Sequence, residues 1–229
     1  MPLFTNIHTG LALLWSLRLT LFLLHREYIN WPEWHGKLLE VDERANTQSR
    51  ITIWMTCSVF YAMMMMPCVK RMKEATSGVK LSEWGKIGKS GIYLQGTGLL
   101  LETIADCQKG RFKRQDGNRN KFCNVGVWNF FSHPNYFGEI SFWVGTYVGG
   151  VACNKTASDW IISSAGLLFI LTVMKGASDS LDSKHMKNYG YDKEYMDFRR
   201  QRWFFGPIPS FLQRRRRKIT NIQQYTPAY

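Results

Sequence analysis

Acidic residues are scarce in this chain of 229 residues: 17 Asp and Glu stand against 30 Lys and Arg, a net charge of +13. Cysteines number only five, Cys57, Cys68, Cys107, Cys123 and Cys153. None forms a C-x-x-C pair or a zinc spacing, no metal site is expected, and their odd number and scatter argue for reduced thiols. There is no internal repeat and no long low-complexity segment. The first apolar block lacks a basic n-region, is interrupted by Arg18 and is followed by no small-residue cleavage pattern. A cleaved signal peptide is therefore not expected, and the block reads as a retained helix.

The most telling absence is local. Charge is missing, or nearly so, from five stretches: 9–24, 51–69, 91–101 running on to Ala105, 140–153 and 160–174. A mean hydropathy of −0.25 conceals this, because the charge sits between the blocks. A bilayer core takes about 20 apolar residues in a helix. The second block meets that length alone, and the others do so with their flanks. A soluble bundle with five such blocks in so short a chain is a poor alternative. Gly145, Gly149 and Gly150 suit close helix packing in lipid. The expected fold is all-α: a polytopic membrane protein of about five to six transmembrane helices. It is read as a single membrane domain over 1–229. Residues 1–85 give N-terminal helices and loops, 86–205 the core, and 206–229 a Pro-rich turn and basic tail.

With five spans, the segments on one side of the membrane carry 21 Lys and Arg and those on the other carry 7. The positive-inside rule then places the C-terminal tail in the cytoplasm or its equivalent. The six cations in 70–90 fit that count poorly. Arg214 to Lys218 reads as a contact with anionic headgroups rather than with nucleic acid, which is not an expected partner. The triplet Asn154-Lys155-Thr156 matches a glycosylation sequon but lies close to the membrane and carries little weight. Gly206-Pro207-Ile208-Pro209 must break any helix, since proline has no amide donor. A short amphipathic helix is expected before it.

Two polar clusters stand at the membrane boundary. The first closes the third block: Glu102, Asp106, Lys109 and Lys113 follow one another at helical spacing and share a face. Carboxylates at the end of an apolar helix are costly and point to function, although a helix end solvated at the headgroups would also carry ion pairs. The second is Gly126-Val-Trp128 followed by Ser132-His133-Pro134-Asn135-Tyr136-Phe137-Gly138-Glu139. It concentrates donors, acceptors and an imidazole within a few residues. Pro134 suits the first turn of a helix with Ser132 or His133 as its cap. Asn135 and Glu139, four apart, share a face. Trp128, Phe130 and Phe131 also read in part as an interfacial aromatic belt.

The string SHPNYFGE, with the preceding Gly-x-Trp and LLETIADCQK, resembles the steroid 5-alpha-reductase-like membrane family, in particular a branch often described as a domain of unknown function. The likeness extends to Trp15-Ser-Leu-Arg18-Leu19 and Arg26, and to Tyr195 and Pro207 to Pro209. Only 102–145 is specific. Sterol reductases carry a similar segment, and isoprenylcysteine methyltransferases share its R-H-P-x-Y core.

The resemblance implies a helical membrane enzyme that holds NADPH in its C-terminal half. It would pass hydride to a carbon–carbon double bond conjugated to a carbonyl in a lipid-like or steroid-like substrate. Asp106, Asn135 and Glu139 match positions that contact the cofactor, His133, Tyr136 and Trp128 line the same region, and Lys109 and Lys113 are placed for phosphates. No catalytic residue is carried over. One departure matters: the family has Arg before the His, where this chain has Ser132, and serine cannot act as a guanidinium fork. The alternatives are a non-catalytic subunit of a larger membrane assembly and a membrane methyltransferase using S-adenosylmethionine. Expected partners are a hydrophobic small molecule, membrane lipids and other membrane subunits. The endoplasmic reticulum is the first expectation for the membrane, an organelle inner membrane the second.

Overall fold

A computed structural model describes residues 3–30, 36, 39–40, 46–78, 85–203 and 206–207. The Arg214 to Lys218 run and Pro209 lie outside the described residues. The chain folds into helices α1 (Leu3–His25), α2 (Thr47–Thr76), α3 (Gly85–Arg114), α4 (Pro134–Gly150), α5 (Ala157–Tyr189) and α6 (Lys193–Gln201). A π turn follows α1, and short 3-10 turns cover Gly126–Asn129 and Val151–Cys153. Two-residue strands, β1 (Arg202–Trp203) and β2 (Gly206–Pro207), pair antiparallel. Three helical runs, Leu3–Tyr28, Thr47–Thr76 and Ala157–Tyr189, are long and apolar enough to cross a membrane. The all-α membrane expectation therefore holds. The third and fourth blocks also form helices, but α3 is diluted by its charged ends and α4 has only 17 residues before its 3-10 extension.

The chain divides into two compact units: Met1–Leu100 with Gly138–Met174, and Leu101–Phe137 with Lys175–Tyr229. The breaks at Leu100 and Met174 coincide with the change from apolar to charged sequence along α3 and α5.

In the first unit, pair contacts fix how the helices run. His8, early in α1, has its Nε2 3.1 Å from the carbonyl of Thr146, late in α4, and 3.3 Å from the sulfur of Cys68, late in α2. Trp15, two turns on, packs against Tyr61, Phe142 and Trp143, which come earlier in those helices. Both α2 and α4 are thus antiparallel to α1. In α3, Gly91 backs onto Gly149 and Gly98 onto Phe142, so α3 opposes α4. In α5, Asp159 pairs with Lys70 and Phe169 stacks on Phe60 at 3.5 Å, so α5 opposes α2. The helices alternate up and down throughout.

The tightest seam is between α3 and α4. A Cβ at Gly145 would lie 2.3 Å from the Gln95 nitrogen and 2.6 Å from the Gly91 oxygen. Only a residue without a side chain lets the two backbones come so close, which is how small residues drive helix association where water gives no push.

Helix starts follow capping chemistry. Asn46 Oδ1 accepts from the Ser49 amide at 2.7 Å. The sequon threonine, Thr156, accepts from the Asp159 amide through its hydroxyl, and Asp159 Oδ2 accepts from the amides of Lys155 and Thr156. This reciprocal capping box starts α5. The cations in 70–90 now find their places. Lys70 pairs with Asp159. Arg71, 7% exposed, donates to the Gly149 carbonyl at 2.5 Å. Two of the six are engaged inside the bundle rather than displayed as loop charge, which removes part of the misfit in the charge count.

Candidate functional site

The second unit gathers most of the polar residues singled out in the sequence. The end of α3 supplies Glu102 and Asp106, at 4% and 9% exposure. A helix end solvated at the headgroups would expose them, whereas here both carboxylates are enclosed. Ala105, on the same buried face, is the centre of a small core with Cys123 and Trp128. The Trp128 indole is 2% exposed and donates from Nε1 to the Ala105 carbonyl at 2.9 Å. That corrects the reading of Trp128 as an interfacial belt residue: its one polar atom is spent on the α3 backbone. Phe130, by contrast, stands exposed.

Lys109 sits over the Trp128 ring, 4.9 Å from its centroid, in a cation–π arrangement. Lys113 has another task. It donates to the carbonyl of Arg119 at 3.0 Å and also to that of Lys121, clasping the turn that follows α3. Burial, and next the charge of Lys109, hold its ammonium below the usual lysine range. Burial also pushes the Cys123 thiol up, which disfavours a thiolate nucleophile.

The loop from 126 to 133 is set by two further contacts. Gly126 adopts φ +57, and a Cβ there would run into the Gln108 side chain at 2.3 to 2.4 Å. Gln108 uses that closeness to accept from the Val127 amide at 2.8 Å. Arg202 ties the far side of the turn, donating to the carbonyl and the side-chain oxygen of Asn129, each at 2.7 Å.

His133 then opens α4. Its carbonyl accepts from the Phe137 amide at 3.0 Å, so it is the capping residue and Pro134 the first helical one. The imidazole is buried, with Nε2 2.8 Å from Asp182 Oδ1 on α5. Tyr136 stacks beside it with centroids 5.5 Å apart, and His185 lies 6.3 Å away on the other side. The aromatic array continues through Tyr189 and Tyr195 to Phe122. Asn124 donates to Glu194 at 3.1 Å, fastening α6 to the same loop. Asn135, one residue into α4, has a buried side-chain oxygen with no hydrogen-bond partner. Glu139 is one turn further along α4 and belongs to the first unit.

Of the residues proposed from sequence, Asp106, Lys109, Lys113, Trp128, His133, Asn135 and Tyr136 thus share one unit. Trp128 is in contact with Lys109, and His133 with Tyr136. The sequence reading missed Asp182, His185 and Gln108. Asp182, His185 and Tyr189 follow at three- and four-residue steps, a polar face on a helix that begins as an apolar span, and that spacing was the available signal. Among the described residues no group of three His, Cys, Asp or Glu could hold a metal ion.

A family model, described as "Protein of unknown function (DUF1295)", matches residues 4–202. The chain belongs to that family. Neither the curated proteins nor the solved structures contain a match. The matched region runs from the start of α1 to Arg202, whose contact with Asn129 closes the site, so every residue described above falls within it.

Proposed function

We propose that this protein is a membrane oxidoreductase that uses NADPH to reduce a carbon–carbon double bond conjugated to a carbonyl in a lipid-like or steroid-like molecule. The observation that carries the reading is the contact of buried His133 with Asp182, with Tyr136 and His185 beside the imidazole, in one unit with enclosed Asp106 and with Lys109. Polar groups enclosed among aromatics, beside the Lys109 cation, suit a nucleotide that is part flat ring and part phosphate. The resemblance to the steroid 5-alpha-reductase-like family points the same way.

The residues fit a dinucleotide. The unpartnered Asn135 oxygen is an acceptor in want of a donor, such as a carboxamide N–H or a ribose hydroxyl. Lys109 offers a cation for a phosphate oxygen. When bound, the reduced nicotinamide supplies a hydride, and a proton completes addition across the double bond. Asp182 holds the His133 ring in place, and the Trp128–Ala105 bond fixes the floor beneath Lys109. Enclosure of the site by Tyr136, Tyr195 and Phe122 keeps water from the reacting carbons. We place the enzyme in the endoplasmic reticulum.

Binding to purified protein in detergent tests the reading. NADPH is expected to bind more tightly than NADH, with Lys109 and its neighbours meeting the 2′-phosphate. Equal affinity for the two, or binding of S-adenosylmethionine and neither nucleotide, overturns it.

A further inference from the structure

The first unit contains a cavity of about 280 Å³ between α1 and α2 that the reductase reading does not use. Its lining is Thr9, Ala12, Leu13 and Ser16 from α1, with Met65, Cys68, Val69 and Met72 from α2. The depression has a physical cause. Thr9, Ala12, Ser16 and Cys68 are small, so the two helices leave space between longer neighbours. Met65 and Met72 border that space with flexible thioethers that adapt to an irregular guest.

The chemistry of the walls narrows the guest. Ser16 spends its hydroxyl on the Leu13 carbonyl at 2.8 Å and offers the cavity only carbon. The Cys68 sulfur rests beside His8 Nε2, and that nitrogen also lies 3.1 Å from the Thr146 carbonyl, which can only accept. The imidazole therefore carries its proton on Nε2 and cannot take one from the thiol, so no activated nucleophile faces the space. Thr9 is different: its hydroxyl oxygen is buried and has no hydrogen-bond partner among the described residues. Both walls belong to helices able to cross a membrane, so the cavity opens toward hydrocarbon. A hydrocarbon chain that carries one acceptor near its end would satisfy this lining.

The cavity's stripe also has direction. At helical spacing it continues from Thr9 to Asn6 on α1 and from Val69 to Lys73 on α2, and both Asn6 and Lys73 are exposed. The acids near this end of the bundle are engaged: Glu74 accepts from Lys155 at 2.5 Å and Asp159 pairs with Lys70. Lys73, Lys86 and Lys89 are exposed there, so the surface around the cavity's polar end is positive.

We propose that this cavity holds one acyl chain of an anionic glycerophospholipid. The chain lies along Ala12, Leu13 and Met65, an ester carbonyl accepts from the Thr9 hydroxyl, and the phosphate faces Lys73. The proposal is independent of the nucleotide site, which lies in the other unit.

The experiment uses the full-length protein, purified in mild detergent, delipidated, and titrated with phosphatidylglycerol or phosphatidylcholine of identical chains. Native mass spectrometry counts retained lipid, and thermal unfolding reads its effect. One phosphatidylglycerol per chain is expected, retained roughly five-fold more strongly than phosphatidylcholine, as about one charge near a headgroup gives. Lys73→Gln should abolish that preference, Thr9→Val should weaken both lipids alike, and Ala12→Leu should displace the bound chain. Equal retention of the two lipids by the wild type overturns the anionic headgroup. Unchanged retention in Ala12→Leu, with a normal unfolding transition, overturns the cavity as its seat.

Discussion

Removing the charge of Asp182 gives the sharpest test of the site, because the contact with His133 is short and its two ends differ in burial. His133 Nε2 and Asp182 Oδ1 are 2.8 Å apart, with side-chain exposures of 2% and 41%. A hydrogen bond to a charged group contributes about 1.5–3 kcal/mol where both partners are shielded. Solvent at the Asp182 end screens much of that, which leaves roughly 1 kcal/mol. Asp182→Asn keeps the size of the side chain and an acceptor oxygen while deleting the charge. It should therefore cost about 1 kcal/mol in the unfolding equilibrium, a factor of roughly five. NADPH affinity should fall further, by about ten-fold, because the imidazole is no longer held against its neighbours Tyr136 and His185. A double-mutant cycle with His133→Gln isolates the pair, read by tryptophan fluorescence during denaturation in micelles and by NADPH titration. A coupling energy indistinguishable from zero in both readouts would refute the assignment of Asp182 as the group that positions His133.

Ser132→Arg, which restores the family's arginine beside His133, should tighten NADPH binding by about 1.5–3 kcal/mol, measured by titration; unchanged affinity would mean that Lys109 or another cation already serves. Gly145→Val should destabilise the α3–α4 seam by about 1–3 kcal/mol in a detergent unfolding assay, since the new side chain meets the Gln95 and Gly91 backbones. Gly126→Ala should lower stability by about 1–3 kcal/mol through left-handed backbone strain, with added conflict at Gln108; limited proteolysis of the 115–133 loop should become faster.

How much of this was legible beforehand depends on where hydrophobicity stops being informative. The apolar blocks located the helices because a membrane-crossing helix must be apolar along its length. They mislocated the ends, since nothing requires a helix to stop where lipid does. The fifth block closes at Met174, but α5 continues to Tyr189, and the third passes Ala105 to reach Arg114. The extension of α5 carries Asp182 and His185 outside any dense motif, which is why these were missed while Asp106, His133 and Asn135 stood out; Gln108 lies within LLETIADCQK, but its partner is the Val127 backbone amide, which no side-chain pattern encodes. Buried Glu102 and Asp106 were readable from spacing, since four residues place both on one face. The duties of Trp128 and Lys113 were not, because each is fixed by a backbone carbonyl that no side-chain pattern encodes.

The two kinds of helix are reconciled by following the chain through its contacts. Among the described residues three runs pass the test of length and apolarity, which by itself would leave α3 and α4 outside the membrane. The alternation in the first unit does not allow that. If α5 crosses, α4 must cross as well, because only a six-residue turn and capping box separate the end of α4 from the start of α5. α3 then crosses too, since Gly91 and Gly98 run the length of α4 against Gly149 and Phe142. Five crossings put the 115–133 loop on the same side as α6, and the second unit independently demands this: Phe122 packs on Tyr195, and Asn124 bonds Glu194. Three crossings would place these partners on opposite sides of a bilayer. A protease-cleavable tag after Tyr229 should therefore be cut from the same side of sealed membranes as a site inserted at Gly117, and by the charge count that side is the cytoplasmic one. Cleavage of the two from opposite sides would break the five-pass topology, and with it any site built jointly from the 126–137 segment and the end of α5.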